Sequence, residues 1–231
     1  MVLVAHGSRD PRAAAATSAL ATAVAEAHPE WEVHASYLDH AGPRPLDVLR
    51  WLSVSGCRRA VVVPLLLTAA YHGKVDIPAV VREASSLDLD ITLADVLGTV
   101  SELLVDGLVR RLPTTELDAV VLAAAGTRDA AARTTVAAAA EALGARLGLP
   151  CTVAYASAAP PTADVAVASL PGRVGVAAYF LAPGRLYDKA VEAARAAGAV
   201  AVAPPLEDAP ELVTLVGLKV AGALNQGLVA A

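Results

Sequence analysis

Two histidines in this 231-residue chain have the surroundings that metal or proton chemistry needs. His6 and His72 each come shortly after an apolar stretch typical of a buried strand, and each precedes a glycine that allows close backbone approach. Asp39 follows another such stretch. A neutral imidazole has one ring nitrogen that can bind a metal ion or accept a proton. Two imidazoles and a carboxylate therefore indicate a metal site or a general-base site.

The other three histidines are weaker candidates. His40 directly follows Asp39, and the sequence leaves open whether Asp39 or His40 completes the site. His28 comes at the end of a predicted helix, where a partial positive charge complements the helix dipole. His34 lies inside a predicted strand, where a packing role is expected.

Basic and hydroxyl side chains are expected around the same crevice. The candidates for binding a ligand there are Ser8, Arg9, Arg44, Lys74 and Arg185. Arginine pairs well with carboxylates, so these residues indicate an anionic ligand. Arg12 and Arg128 are expected to be solvated helix charges, and capping of a helix is the more ordinary role of Ser8. The Gly-Ser-Arg-Asp stretch lacks both common nucleotide-binding glycine patterns, which makes a nucleotide site a weak interpretation.

Short apolar runs alternate with longer Ala-rich amphipathic stretches along the whole chain. The predicted strands are Val2–Ala5, Trp31–Leu38, Ala60–Leu66, Asp90–Val96, Ala119–Ala124, Cys151–Ala156, Val174–Phe180 and Ala199–Ala203. The predicted helices are Arg12–Ala27, Pro45–Ser55, Pro78–Ser86, Val100–Arg111, Ala130–Leu147, Leu186–Ala197 and Pro210–Leu224. This alternation predicts parallel sheets with right-handed crossovers. In such sheets the residues that follow the strands gather in one crevice.

An internal repeat decides the domain organisation. The stretch AHGSRDPRAAA from Ala5 recurs as AAGTRDAAART from Ala124, and SELLVDGL from Ser101 resembles PELVTLVGL from Pro210. We therefore predict two duplicated flavodoxin-like α/β domains, each a parallel four-stranded sheet flanked by helices, over residues 1–113 and 114–231. His6 aligns with Ala125, and the position of His72 falls at Arg185 or Leu186. The reactive chemistry thus belongs to the first half, and the second half supplies the opposite wall of a cleft.

Composition excludes several classes of protein. Hydrophobic residues make up 56% of the chain and charged residues 18%, which provides a sizeable core. A net charge of −5 argues against nucleic acid as a partner. No apolar run approaches the roughly 18 residues of a membrane span, and no signal peptide is recognisable at the start. Cys57 and Cys151 lie far apart, so free thiols in a reducing compartment and a cytoplasmic location are expected.

Three motifs together resemble the sirohydrochlorin chelatases, the class II chelatases that insert cobalt or iron into a tetrapyrrole for cobalamin or sirohaem synthesis. The motifs are AHGSRDPRA, YLDHAGPRPLDVL and VVVPLLLTAAYHGKVDIP. The resemblance implies that His6 and His72 are the metal-binding histidines. It also implies that Asp39 stands where relatives carry a glutamate, with a reach shorter by one methylene. Ala70 is a second departure, since many relatives have glycine there.

The resemblance implies a divalent metal as substrate, either Co²⁺, Fe²⁺ or Ni²⁺, and no tightly bound cofactor. The macrocycle would enter the cleft between the domains, and a histidine would accept a pyrrole proton. Its carboxylates would meet Arg9, Arg44, Lys74 and Arg185, and its flat face would lie on Leu67, Tyr71, Leu181 and Tyr187.

Other interpretations remain at this point. A non-catalytic carrier of metal or tetrapyrrole fits the duplication and the cleft equally well, and a flavodoxin-like regulatory or phosphate-binding domain is a third possibility. The ligand types do not separate iron, cobalt and nickel. The sequence leaves the oligomeric state open, although a chain that carries both walls of the cleft is able to act as a monomer.

Overall fold

The computed structural model describes residues 1–68, 75–98, 101–113 and 116–229, with side chains up to residue 225. The described elements of the first half are β1 Val2–Ala5, α1 Pro11–Ala27, β2 His34–Tyr37, α2 Pro45–Val54, β3 Arg59–Pro64, α3 Ile77–Glu83, β4 Asp90–Leu93 and α4 Glu102–Arg111. Those of the second half are β5 Ala119–Ala124, α5 Ala130–Leu147, β6 Cys151–Tyr155, α6 Ala163–Ala168, β7 Val174–Tyr179, α7 Arg185–Ala196, β8 Ala201–Val202 and α8 Pro210–Val229.

Each half contains one four-stranded parallel sheet. The strand orders are β2-β1-β3-β4 and β6-β5-β7-β8. The registers correspond as well, because Val4 pairs with Ser36 and Pro64 while Ala123 pairs with Ala154 and Ala178. The predicted fold of two duplicated flavodoxin-like domains is confirmed. In each sheet the chain adds the second strand on one side of the first and the third strand on the other side. Such a reversal of direction places a crevice beyond the carboxyl ends of β1 and of β5.

Some predicted boundaries differ clearly from the structure: α8 continues five residues past the predicted end at Leu224, to Val229, and β2 starts late. The strand was expected from Trp31, but the structure starts it at His34. The backbone N–H of Trp31 donates to the carbonyl of His28 over 2.9 Å, and the two rings stack with centroids 3.9 Å apart. Trp31 is part of this turn after α1, so the strand begins three residues later than predicted. The stretch between β6 and β7 contains the short helix α6, in agreement with its weak helical pattern.

The two sheets share a common core on their inner faces. In β1, Leu3 points into this core, while Val2 and Val4 point to a separate cluster beneath α2 and α3, as the alternation of side chains along a strand requires. The shared core also contains Val120 and Leu122 of β5, so that no layer of solvent divides the halves there. The outer face of the second sheet has its own cluster beneath α6 and α7.

The last helix of each half packs across the pseudo-symmetric boundary. Helix α4 contacts α5 and β7 of the second half, and α8 contacts α1, β3 and β4 of the first half. The helices also contact each other, and the Arg110 Nε atom lies 2.6 Å from the Glu211 Oε1 atom. The division of the chain after residue 113 stays a prediction, since both halves depend on the helix that the other provides. None of the helices in the described ranges is long and apolar enough to cross a membrane.

Candidate metal and macrocycle cleft

A cleft of about 1050 Å³ lies between the two halves at the carboxyl ends of the strands. One wall is the loop after β1 with the first turns of α1, and the other is the loop after β7 with the first turns of α7. The two loops approach closely: a β-carbon on Gly184 would lie 3.9 Å from the Ser8 Oγ atom. The volume is at the upper end of the range of small-molecule sites.

The His6 loop is held by backbone hydrogen bonds that continue the sheet beyond the strands. The N–H of Leu38 donates to the carbonyl of Ala5 over 3.0 Å, and the N–H of Asp39 donates to that of His6 over 2.8 Å. The exposed His6 imidazole lines the cleft. The two strand ends that carry the predicted site residues are therefore joined directly.

Ser8 also lines the cleft, but its hydroxyl has a local structural role. The Ser8 Oγ atom accepts the N–H of Asp10 over 3.1 Å, and the Asp10 carboxylate accepts the N–H of Arg12 over 3.0 Å as the cap of α1. Thr127 and Asp129 repeat this arrangement at the start of α5. Asp10 is therefore the cap of α1, while Ser8 holds the backbone of Asp10 and does not itself cap the helix. The contact of Ser8 with a ligand stays a prediction.

Asp39 and Arg44 form the loop that follows β2. The Arg44 guanidinium donates to the carbonyl of Leu38, and another of its nitrogens lies 3.7 Å from the Asp39 Oδ1 atom. The N–H of His40 donates to the Asp39 carboxylate over 3.0 Å and lowers the pKa of Asp39, and the nearby Arg44 guanidinium adds to this effect. Neither Asp39 nor Arg44 is among the described residues that line the cleft, and Arg44 supports the loop instead.

His40 does line the cleft, on the same wall as His6. Their ring centroids lie 6.4 Å apart, with an interplanar angle of 78°. The His40 Nε2 atom lies 3.7 Å from the Asp39 Oδ2 atom. The sequence offered only the adjacency of His40 to Asp39 as a signal, and the structure now places the side chain beside His6.

The second half repeats the loop after β2 without its imidazole. Tyr37 donates its N–H to the carbonyl of Pro43, and Tyr155 donates its N–H to that of Pro161. Within these loops His40 has a φ of 60° and Ala158 has a φ of 64°. YLDHAGP and YASAAPP share few side chains, so the sequence alone does not reveal that these two loops correspond. The two imidazoles among the described cleft residues, His6 and His40, thus have alanine counterparts at Ala125 and Ala158.

The charges of the cleft are mixed, whereas the sequence predicted mainly basic groups. The described lining includes the predicted Arg9 and Arg185 together with Lys189, and also the acidic residues Asp10, Asp188, Glu192 and Glu207. The guanidinium of Arg12 lies between two of these acids, with one nitrogen 2.5 Å from oxygens of both Asp10 and Asp188. Arg12 is an exposed helix charge as expected, and it also links the two walls through these ion pairs.

Tyr71, His72 and Lys74 lie outside the described residues. Leu67, which was predicted to contact the flat face of the macrocycle, is a described residue five positions before His72. Its carbonyl accepts a hydrogen bond from the buried Tyr179 hydroxyl of the second half over 3.1 Å. Among the side chains that the structure does describe, no three His, Cys, Asp or Glu groups are arranged to hold a metal ion. His28 and His34 are not among the residues that line the cleft.

The apolar part of the cleft comes largely from the second half. Leu181 and Tyr187 line it as predicted, together with Phe180, whose ring centroid lies 5.7 Å from that of Tyr187. The Tyr187 hydroxyl donates to the carbonyl of Ala203 over 3.0 Å, which fixes the ring. This wall offers a flat molecule an apolar surface opposite the two imidazoles.

Comparison with known proteins agrees with this architecture. The structure resembles SirB from Bacillus subtilis with Fe³⁺, with a TM-score of 0.80 and 21% identity over 98% of this chain and 96% of that chain. It resembles the sirohydrochlorin chelatase SirB from Bacillus subtilis subspecies spizizenii in complex with cobalt to a similar degree, with a TM-score of 0.79 and 21% identity over 97% and 94% of the chains.

Sequence similarity gives the family. A sirohydrochlorin cobaltochelatase from Methanococcoides burtonii is 26% identical over 82 residues, which are 36% of this chain and 63% of that relative. The CbiX family model matches residues 1–115 and again residues 119–223. The chain therefore belongs to the CbiX family, in a long form with one family unit in each half, which confirms the resemblance drawn from its motifs.

Proposed function

We propose that this protein inserts Co²⁺ or Fe²⁺ into sirohydrochlorin, with His6 and His72 as the metal-handling residues. The observation that carries the proposal is the asymmetry of the cleft. The first half presents imidazoles at the loops where the second half has Ala125 and Ala158, while the second half presents an apolar wall. Membership of the CbiX family supports the same reaction class.

The metal is the substrate of this reaction. Imidazole nitrogen suits ions of intermediate softness such as Co²⁺, Fe²⁺ and Ni²⁺. A site with few protein ligands favours release of the ion into a macrocycle that offers four nitrogens. Asp39 adds a nearby carboxylate that the lowered pKa keeps ionised, and we assign it the role of acidic partner at the β2 end of the site.

The macrocycle must lose two pyrrole protons when a divalent ion enters. A neutral histidine within hydrogen-bond reach can accept such a proton, because its pKa is near the working pH. The ion replaces the two protons without a change of oxidation state, so the step needs no electron donor. We assign this transfer to His6 and His72.

An apolar wall and an arginine on each wall of the cleft support the proposed substrate. The flat face of the ring lies on Leu181 and Tyr187, and its carboxylates reach Arg9 and Arg185 at the two walls. Arg12 offsets the charge of Asp10 and Asp188, which would otherwise repel those carboxylates. We assign Lys74 the role of a further positive charge that binds a carboxylate of the substrate. Arg44 acts on the substrate only indirectly, through the Asp39 loop that it supports.

We place the reaction in the cytoplasm and assign it to the monomer. Both cysteines are free thiols, as a reducing compartment favours. One chain provides both walls of the cleft, so a second copy is not required to complete it.

Anaerobic metal insertion tests the proposal. Sirohydrochlorin is mixed with Co²⁺, Fe²⁺ or Ni²⁺ and the protein, and the change of absorbance is compared with the protein-free rate. We expect insertion well above that rate, and the fastest ion identifies the physiological metal. A protein that binds the tetrapyrrole or the metal without exceeding the uncatalysed rate would instead be a carrier.

A further inference from the structure

We propose that His40 is a third imidazole ligand of the incoming metal ion and that it captures the ion together with His6 at the first-half wall of the cleft. The inference rests on the proposed function in one respect, because it assumes that the cleft receives a divalent transition-metal ion. It adds a metal-binding residue to the predicted pair of His6 and His72.

The backbone holds the two imidazoles as one unit. His6 accepts the N–H of Asp39 over 2.8 Å, and Asp39 is the residue directly before His40. The loop closes with the N–H of Ala41 donating to the carbonyl of Asp39 over 2.7 Å. Relative movement of the two side chains is thereby limited to rotation about their own bonds.

The two rings lie within about 1 Å of the separation that a shared ion requires. A metal–nitrogen distance of about 2.1 Å places the centroids of two ligating rings about 5.3 Å apart at the tetrahedral angle, and about 6.5 Å apart when the nitrogens lie on opposite sides of the ion. The observed separation is 6.4 Å. Both side chains are exposed to the cleft, so small rotations bring one nitrogen of each ring to the same ion.

The loop that carries His40 has the same backbone conformation in both halves. His40 has a φ of 60°, which is unusual for a residue other than glycine. The second half retains the conformation at Ala158 but lacks the imidazole, just as it lacks the counterpart of His6. The loop shape is therefore part of the fold, whereas the two imidazoles occur together in the half that carries the metal chemistry.

The Asp39 carboxylate supplies the surrounding charge. One of its oxygens lies 3.7 Å from the His40 Nε2 atom, and Arg44 lies 3.7 Å from the other oxygen. A cation bound between His6 and His40 would thus have an ionised carboxylate next to it. This charge favours capture of M²⁺ at the wall before the macrocycle takes it.

The test is the affinity of the full-length protein for Co²⁺ alone, measured by calorimetry and by the visible absorption of the ion. Alanine fits at position 40, because Ala158 adopts the same φ in the equivalent loop. We expect His40→Ala to weaken Co²⁺ binding at least about tenfold, with unchanged thermal unfolding of the metal-free protein. His6→Ala should weaken it similarly, and the double variant should lose less than the sum of the two free-energy changes, because both residues bind one ion.

Ala158→His is the matched control. It places an imidazole on the equivalent loop beside Ala125 rather than beside a histidine, so the Co²⁺ affinity should stay at the wild-type value. Unchanged affinity and unchanged insertion rate in His40→Ala would overturn the inference and leave the proposed function intact. Wild-type protein that binds Co²⁺ through His40 but inserts no metal would reject the proposed function and retain the inference.

Discussion

Gly7 lies so close to Asp39 that a β-carbon on Gly7 would be 1.8 Å from the carbonyl oxygen of Asp39. Gly7 also has a φ of +91°, which favours glycine. The second half repeats the contact between Gly126 and the carbonyl oxygen of Ser157, at 1.9 Å. The close approach of the loops after the first two strands is thus built into the fold, and in the first half it brings His6 next to the Asp39–His40 loop.

Gly7→Ala should destabilise the protein and also disturb the metal site. The new methyl group must displace the Asp39 backbone, and the left-handed φ adds strain, so we expect a loss above about 3 kcal/mol in the free energy of unfolding. Gly126→Ala should lose a similar amount, but only Gly7→Ala should also weaken Co²⁺ binding. Gly56 has a φ of +86° with no atom within 4 Å of a β-carbon, so Gly56→Ala should cost only about 1–2 kcal/mol. Urea unfolding and Co²⁺ titration measure both effects, and equal Co²⁺ affinities in Gly7→Ala and Gly126→Ala would contradict the coupling.

Tyr179→Phe should weaken the connection between the halves. The variant leaves the carbonyl of Leu67 without the Tyr179 hydroxyl, at a cost of roughly 1–2 kcal/mol in unfolding free energy. Leu67 comes five residues before His72 in the sequence, so metal insertion should slow as well. Ser169→Ala loses a hydrogen bond inside the second half, to the carbonyl of Ala166 at the end of α6, and serves as the control. A Tyr179→Phe variant with full insertion activity would show that the tie to Leu67 does not position the site.

Much of the fold follows from local patterns in the sequence. The apolar runs predicted each of the eight strands that the described residues form. The repeated Gly-Ser/Thr-Arg-Asp start of α1 and α5 predicted the duplication, because the same turn and cap recur. The strand ends then placed His6 and Asp39 near each other. These inferences succeed because parallel strands share one direction and one functional edge.

Other features depend on contacts that sequence periodicity does not contain. The exchange of α4 and α8 between the halves arises from packing of apolar helix faces, which look alike whichever sheet they cover. The position of Arg12 between Asp10 and Asp188 requires the approach of α7, which lies far away in the sequence. The left-handed φ of His40 occurs in the loop after β2, and a single histidine in the sequence is too weak a signal to predict it.

The ion pair across the cleft should contribute little to stability. Arg12 and Asp188 side chains are 52% and 40% exposed, so solvent screens their attraction. A double-mutant cycle of Arg12→Ala and Asp188→Ala should give a coupling energy below about 1 kcal/mol that disappears in high salt. A coupling above about 2 kcal/mol that persists in 1 M salt would mean that the pair is shielded from solvent and would contradict this expectation.

Cys151 should make the protein sensitive to alkaline pH. Burial raises the pKa of the Cys151 thiol in the folded protein to about 11. Above pH 9 the thiol therefore loses its proton in the unfolded chain but keeps it in the folded protein. The free energy of unfolding falls over this range, until the pH passes about 11. Between pH 8 and pH 10.5 wild type should lose about 2 kcal/mol more of its unfolding free energy than Cys151→Ser. Urea unfolding at the two pH values measures the difference, with Cys57→Ser as the control. Equal pH dependence in wild type and Cys151→Ser would contradict the assignment.

The most direct test of the proposed chelatase is the rate of anaerobic Co²⁺ insertion into sirohydrochlorin for wild type, His6→Ala and His28→Ala. His28 stacks on Trp31 and is not among the described cleft residues, so its variant controls for the loss of a histidine elsewhere. We predict insertion well above the protein-free rate for wild type and His28→Ala, and a rate near the protein-free value for His6→Ala. Wild-type activity in His6→Ala would contradict the assignment of the metal site to this cleft.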